Sequence, residues 1–146
     1  MTQIEPSISA GSWLAPSWEH ATVADAMAGP VLSCTPATPL VAVARLMATR
    51  HVHAVVVSTS GGDPHDWRLV GDRELLAAGG QALARTAGDV ATQPREAAEP
   101  DWPLDRAARL MADHGVSHLV VVGARGEPVG MLSTLDLAGV IAWSRG

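Results

Sequence analysis

Pro39-Leu40-Val41-Ala42-Val43-Ala44-Arg45-Leu46-Met47-Ala48 returns 64 positions later as Pro103-Leu104-Asp105-Arg106-Ala107-Ala108-Arg109-Leu110-Met111-Ala112. In both copies apolar side chains recur at i, i+3, i+4 and i+7: Leu40, Val43, Ala44 and Met47, then Leu104, Ala107, Ala108 and Met111. That spacing predicts one buried stripe on an α-helix in each copy. Thr38-Pro39 reads as an N-cap followed by proline at the first helical position. Trp102 stands at the matching cap position and cannot cap, so the second helix is expected to start less cleanly, from Asp101.

Outward from the helices the match continues. It joins Thr22 to Thr86, Asp25 to Asp89, Pro30 to Pro94, Pro36 to Pro100, and Val52, Val56 and Val57 to Val116, Val120 and Val121, giving 14 identities in the 37 positions from Thr22 to Ser58 without a gap. This is an internal repeat, and it decides the architecture. After each helix comes a short apolar run, Val52 to Val57 and Val116 to Val122, whose β-branched content argues buried strands. A turn follows, Ser58 to Asp66 in the first copy and Gly123 to Pro128 in the second. Each copy then closes with a strand entering a helix: Trp67 to Gly71 into Asp72 to Ala78, and Val129 to Leu132 into Thr134 to Trp143. Gly79-Gly80 ends the first of these helices and begins the linker. The divisions are an N-terminal arm over 1–20, a first repeat over 21–80 and a second over 81–146. The arm carries Pro6, Gly11 and Pro16 with no sustained period, and its Trp13 and Trp18 are expected to find cover on the chain's own body.

The chemistry concentrates at Val129-Gly130-Met131-Leu132-Ser133-Thr134-Leu135-Asp136-Leu137. An apolar strand ends there in two hydroxyls and opens a helix whose free N–H groups, with Ser133 and Thr134, suit an oxygen-rich anion. Asp136 offers acceptors only, which suits a vicinal diol such as a ribose. The plainer reading is that Ser133 or Thr134 caps the helix and Asp136 sits well against its dipole.

Composition narrows the classes. The net charge of −5, with no lysine and ten scattered arginines, argues against a nucleic-acid face. A single cysteine, Cys34, leaves no disulfide framework and no paired-cysteine metal site. No apolar run is long enough to span a bilayer and Met1 to Ala10 carry no secretory pattern, so a cytoplasmic location is expected. Phe and Tyr are absent, leaving Val, Leu, Ala and Met to fill the core.

The repeated helix-strand-strand-helix order, with a hydroxyl-x-x-Asp step between the last strand and helix, resembles the tandem CBS (cystathionine beta-synthase) domain pair, or Bateman module. The residues that carry the resemblance are Thr22 to Met27, Thr38 to Met47, His51 to Val57, Gly115 to Val121 and Gly130 to Leu137. It covers Thr22 to Trp143. The resemblance implies a mixed α/β fold (α+β with α/β character) of two pseudo-twofold-related repeats, with small sheets covered by helices and a cleft on either side between the repeats. It also implies a regulatory ligand-sensing module, not an enzyme, with no obligatory cofactor. Its regulatory ligand would be an adenosine compound: AMP, ADP, ATP or an S-adenosyl compound. Carried over residue by residue, the first cleft combines Ser133, Thr134 and Asp136 with Leu32, Ser33, Val52, His53 and Ala54. The second would combine Gly71, Asp72 and Glu74 with Glu96, Ala97, Val116, Ser117 and His118. Glycine there replaces the hydroxyl, and Glu74 replaces the Asp with a longer arm, so this cleft is expected to be empty or altered in its ligand.

Other constellations weigh less. His51 and His53 would point the same way on a strand, but spacing fixes no third metal ligand. Asp63, His65 and Asp66 lie in a Gly-Pro-rich turn, and Cys34 has neither a base nor a low-pKa setting. The alternative to ligand sensing is a structural dimerisation or protein-interaction module with degenerate clefts. A homodimer is expected through the last helix of each repeat, where Leu75, Leu76, Leu137, Val140, Ile141 and Trp143 supply apolar surface. A further, unidentified protein partner would receive the regulatory signal.

Overall fold

The computed structural model describes residues 16–59 and 63–143. Those residues build six helices and two three-stranded sheets. In chain order they are α1 (Val23–Ala26), β1 (Ser33–Cys34), α2 (Leu40–Arg50), β2 (Ala54–Ser58), β3 (Trp67–Gly71), α3 (Asp72–Ala78), α4 (Ala87–Val90), β4 (Ala97–Ala98), α5 (Leu104–His114), β5 (His118–Val122), β6 (Pro128–Ser133) and α6 (Thr134–Trp143). The mixed fold class and the helix-strand-strand-helix repeat read from the sequence are those of the structure.

The chain divides into two compact units that do not follow the repeat boundaries. One spans 30–95 together with 123–129; the other takes the residues up to Gly29, then 96–122 and 130 onward. In the 30–95 unit, β1 lies parallel to β2 with Ser33 opposite Val56, and β2 runs antiparallel to β3 from Ala54–Gly71 to Ser58–Trp67. Ala54 to Val57 are all buried, as expected of a strand covered on both faces. Leu40, Val43 and Met47 of α2 pack with Val55, Val57 and Val70, and Ala87 and Ala91, from the opening of the second repeat, complete this core. In the other unit β4 lies parallel to β5, β6 follows on its far side, and α5 buries Leu104, Ala107 and Met111.

The exchange of opening segments is the same in both units. α1 and α4 are four residues long, too short to stand alone in water, so each must dock. Val23 N–H donates to the Trp102 carbonyl at 2.9 Å and Leu104 N–H to the Ala21 carbonyl at 2.9 Å. Shifted by 64, the same bonds recur as Ala87 N–H to the Thr38 carbonyl at 2.8 Å and Leu40 N–H to the Arg85 carbonyl at 2.9 Å. Each long helix therefore receives its start from the repeat that is not its own.

Several local expectations are corrected. Pro39 and Pro103 are the cap residues themselves, with ψ of 138° in both, so α2 and α5 start equally cleanly. Thr38 Oγ1 does not cap α2; it accepts from Thr35 N–H at 3.2 Å. His51 and His53 precede β2 rather than lying on it, and His51 ends α2 in the left-handed region at φ 55°, where the second copy has Gly115. The start of β3 and the loop ahead of it also meet the turn before β6. Trp67 Nε1 donates to the Gly126 carbonyl at 2.9 Å, and His65 lies where a side chain on Gly126 would have to go. Trp18, half-buried, donates to Asp105 at 3.4 Å, in keeping with cover on the chain's own body. Trp13, most of the arm and Gly61-Gly62 lie outside the described residues.

Candidate functional site

The Ser133–Asp136 step is a capping box at the start of α6. Ser133 N–H donates to Asp136 Oδ2 at 2.8 Å, the Ser133 hydroxyl donates to the same oxygen at 3.1 Å, and Asp136 N–H reaches Ser133 Oγ at 3.3 Å. Thr134 N–H is held by the Ser117 carbonyl at 3.0 Å. Of the donors expected to be free at this helix start, the Ser133, Thr134 and Asp136 N–H groups therefore already have partners. The Thr134 side chain is exposed, and Asp136 Oδ1 has no partner among the described residues.

The box alone is not distinctive, because the chain uses the device repeatedly. Thr22 with Asp25 and Thr86 with Asp89 cap the two four-residue helices in the same way, at 2.8 and 2.9 Å. At Asp89 the Thr86 backbone N–H, then the Thr86 side chain, hold the carboxyl below the usual carboxylate range. What separates Asp136 is its setting. Asp25 and Asp89 are exposed, whereas Asp136 is half-buried, at the mouth of β6 on a ten-residue helix.

The remaining residues of the first predicted set, Leu32, Ser33, Val52, His53 and Ala54, all fall in the 30–95 unit. They line the start of the β1–β2 pair. The Leu32 carbonyl accepts from Val56 N–H at 2.8 Å, Ser33 sits opposite Val56, and Ala54 faces Gly71 across β2 and β3. Val52 and His53 are half-buried just ahead of β2.

The second predicted set is likewise divided. Gly71, Asp72 and Glu74 belong to the 30–95 unit, and Glu96, Ala97, Val116, Ser117 and His118 to the other. Within the first group, Glu74 Oε1 accepts from Gly71 N–H at 2.7 Å and Oε2 accepts from the Thr92 hydroxyl at 2.9 Å. Each oxygen of this carboxylate thus has one donor from its own unit. Thr92 was not among the sequence-derived candidates, although the 64-residue alignment places it opposite Ala28, a change from a methyl to a hydroxyl. In the second group, Glu96 pairs with His114 at 3.3 Å. Cys34 is a poor nucleophile: partial burial pushes its thiol up, more than the hydrogen bond with Thr38 lowers it.

The CBS domain model matches residues 23–71 and 87–142, and the chain belongs to that family. Among solved structures, it is similar to a CBS domain protein from Pyrobaculum aerophilum complexed with AMP, at 28% identity and TM-score 0.69, over 80% of this chain and 89% of that one. The CBS domain pair of protein MJ0100, in complex with 5′-methylthioadenosine and S-adenosyl-L-methionine, matches at 17% identity and TM-score 0.71, over 84% and 96%. A conserved protein from Pyrococcus horikoshii matches at 22% and 0.72, over 82% and 91%. No curated protein matches the sequence.

Proposed function

We propose that this chain is a regulatory module that binds an adenosine nucleotide and reports its presence to a partner. The observation that carries the reading is the Asp136 carboxylate, half-buried and spending one oxygen on its own helix cap while the other stays open. A ribose offers two hydroxyl donors and needs an acceptor-only group to receive them. The similarity to an AMP-bound CBS protein at 28% identity supports an adenosine compound as the carrier of that ribose. Thr134 is proposed to meet a phosphate. Leu32, Val52 and Ala54 are proposed to supply aliphatic wall for a base, and Ser33 and His53 polar contacts to it or to an anion. Thermal unfolding with AMP, ADP, ATP and S-adenosylmethionine tests this. A ligand at a hundred times its dissociation constant adds about 2.7 kcal/mol of stability, and no shift with any of the four would turn the reading to an interaction module.

Pairing of two copies is part of the proposal, supported by apolar side chains left in solvent. Leu76 of α3 is 81% exposed and Ile141 of α6 is 61% exposed, while Leu75 is drawn into the core of its own unit. A twofold pair presents the same patch twice. Ile141→Asp should shift the light-scattering mass from dimer to protomer, because an unpaired carboxylate at a dry contact costs several kcal/mol. A wild-type mass of one protomer at micromolar concentration would remove the dimer.

A further inference from the structure

We propose that Thr92 and Glu74 form an internal latch that denies the second carboxylate step to nucleotide, so that the chain takes one nucleotide and Thr92 sets that number. This rests on the adenosine-binding reading above. The two units provide an internal comparison. Thr92 exchanges backbone hydrogen bonds with Leu69, at 2.9 and 2.8 Å, and Ala28 exchanges the same pair with Met131, at 2.9 and 2.8 Å. Thr92 and Ala28 are therefore equivalent positions. Five residues beyond Leu69 is Glu74; five beyond Met131 is Asp136.

From that common frame the chemistry diverges at three side chains. Gly71 replaces Ser133, so no hydroxyl joins the cap. Glu74 is one methylene longer than Asp136, and the extra reach lets one oxygen accept from Gly71 N–H while the other accepts from Thr92 Oγ1. Ala28, at the position of Thr92, has no donor to place on Asp136. A hydroxyl on a carboxylate oxygen is the contact a ribose would make, so Thr92 stands in for one arm of the diol. A charge-assisted bond of this kind is among the stronger hydrogen bonds in a protein, and an arriving ribose would have to compete with the Thr92 hydroxyl for that oxygen.

Calorimetry with AMP, alongside a ligand-free arm, tests the latch. Wild type should take one AMP per chain. Thr92→Val, which keeps shape and removes the donor, should admit a second AMP with an affinity within about tenfold of the first. Thr92→Ser, which restores the hydroxyl, should return the count to one. Two AMP per wild-type chain, or one in Thr92→Val, overturns the latch. In the ligand-free arm, the losses in melting temperature for Thr92→Val and Glu74→Gln should be non-additive in the double variant, as for two members of one contact. Additive losses overturn the contact whatever AMP does. Non-additive losses in a protein that takes no AMP overturn the nucleotide reading instead, and with it the role given to the latch.

Discussion

Asp136 carries two duties, and removing its side chain should separate them. Asp136→Ala strips the acceptor from Ser133 N–H and from the Ser133 hydroxyl, at 2.8 and 3.1 Å. Loss of such a cap costs about 1 kcal/mol of stability, or a few degrees of melting temperature in a chain of this size. Loss of a charged acceptor to a bound ribose costs roughly 1.5 to 3 kcal/mol, or about ten- to a hundredfold in affinity. Asp136→Asn distinguishes the two. Its amide oxygen can still accept from Ser133 N–H, so most of the cap survives, but its NH2 faces the diol with a donor where an acceptor is required. The expected pattern is a melting temperature near wild type in Asp136→Asn with AMP affinity reduced as in Asp136→Ala. Calorimetry and thermal unfolding on the same preparations give both numbers. Wild-type affinity in a folded Asp136→Asn would show that the carboxylate is only a cap, and the binding proposal would lose its main support.

Two backbone positions give further tests. Gly126, at φ 82°, lies against the His65 ring, so Gly126→Ala meets both left-handed strain and the imidazole; it should lower stability by about 1–2 kcal/mol, and His65→Ala should recover only the part due to the ring. Unchanged denaturant midpoints would refute the contact. His51→Gly relieves a left-handed non-glycine residue at the end of α2, and after the added chain entropy of glycine is deducted it should raise stability by about 0.5–1 kcal/mol; a destabilised variant would mean that the imidazole makes a contact worth more than the strain.

What the sequence made legible followed from period and punctuation. The α2 and α5 stripes bury the residues that the i, i+3, i+7 spacing selects, and the β3–α3 junction falls between Gly71 and Asp72, where the pattern changes. β1 and β4 were not legible, because a two-residue strand has no alternation to detect and exists through its parallel partner. His51 reads as a strand residue because the apolar run begins at Val52, while its αL position is visible only through its alignment with Gly115. At the candidate site the hydroxyl-x-x-Asp spacing was plain. Its meaning was not, since the same spacing caps α1 and α4, and burial alone sets Asp136 apart. The Thr92–Glu74 bond joins residues 18 apart in sequence through the pairing of Thr92 with Leu69, a register that no local pattern encodes.

The exchanged opening segments bear on how such a repeat can change without losing its fold. Each capped four-residue helix is tied by backbone hydrogen bonds to the long helix of the other repeat, and those bonds accept any side chain. Side-chain identity is constrained at Val23 and Ala87, both fully buried, but not by core packing at Ala28 and Thr92, both exposed and paired through their backbones with Met131 and Leu69. The positions five residues beyond those partners bear the two carboxylates. A substitution at an exposed, backbone-paired position beside a carboxylate alters what that carboxylate can accept while leaving the hydrophobic core untouched. Divergence at such a position lets two units share a backbone frame and differ in chemistry: Asp136 follows the Ala28-paired Met131 by five residues, and Glu74, bonded to the Thr92 hydroxyl, follows the Thr92-paired Leu69 by five.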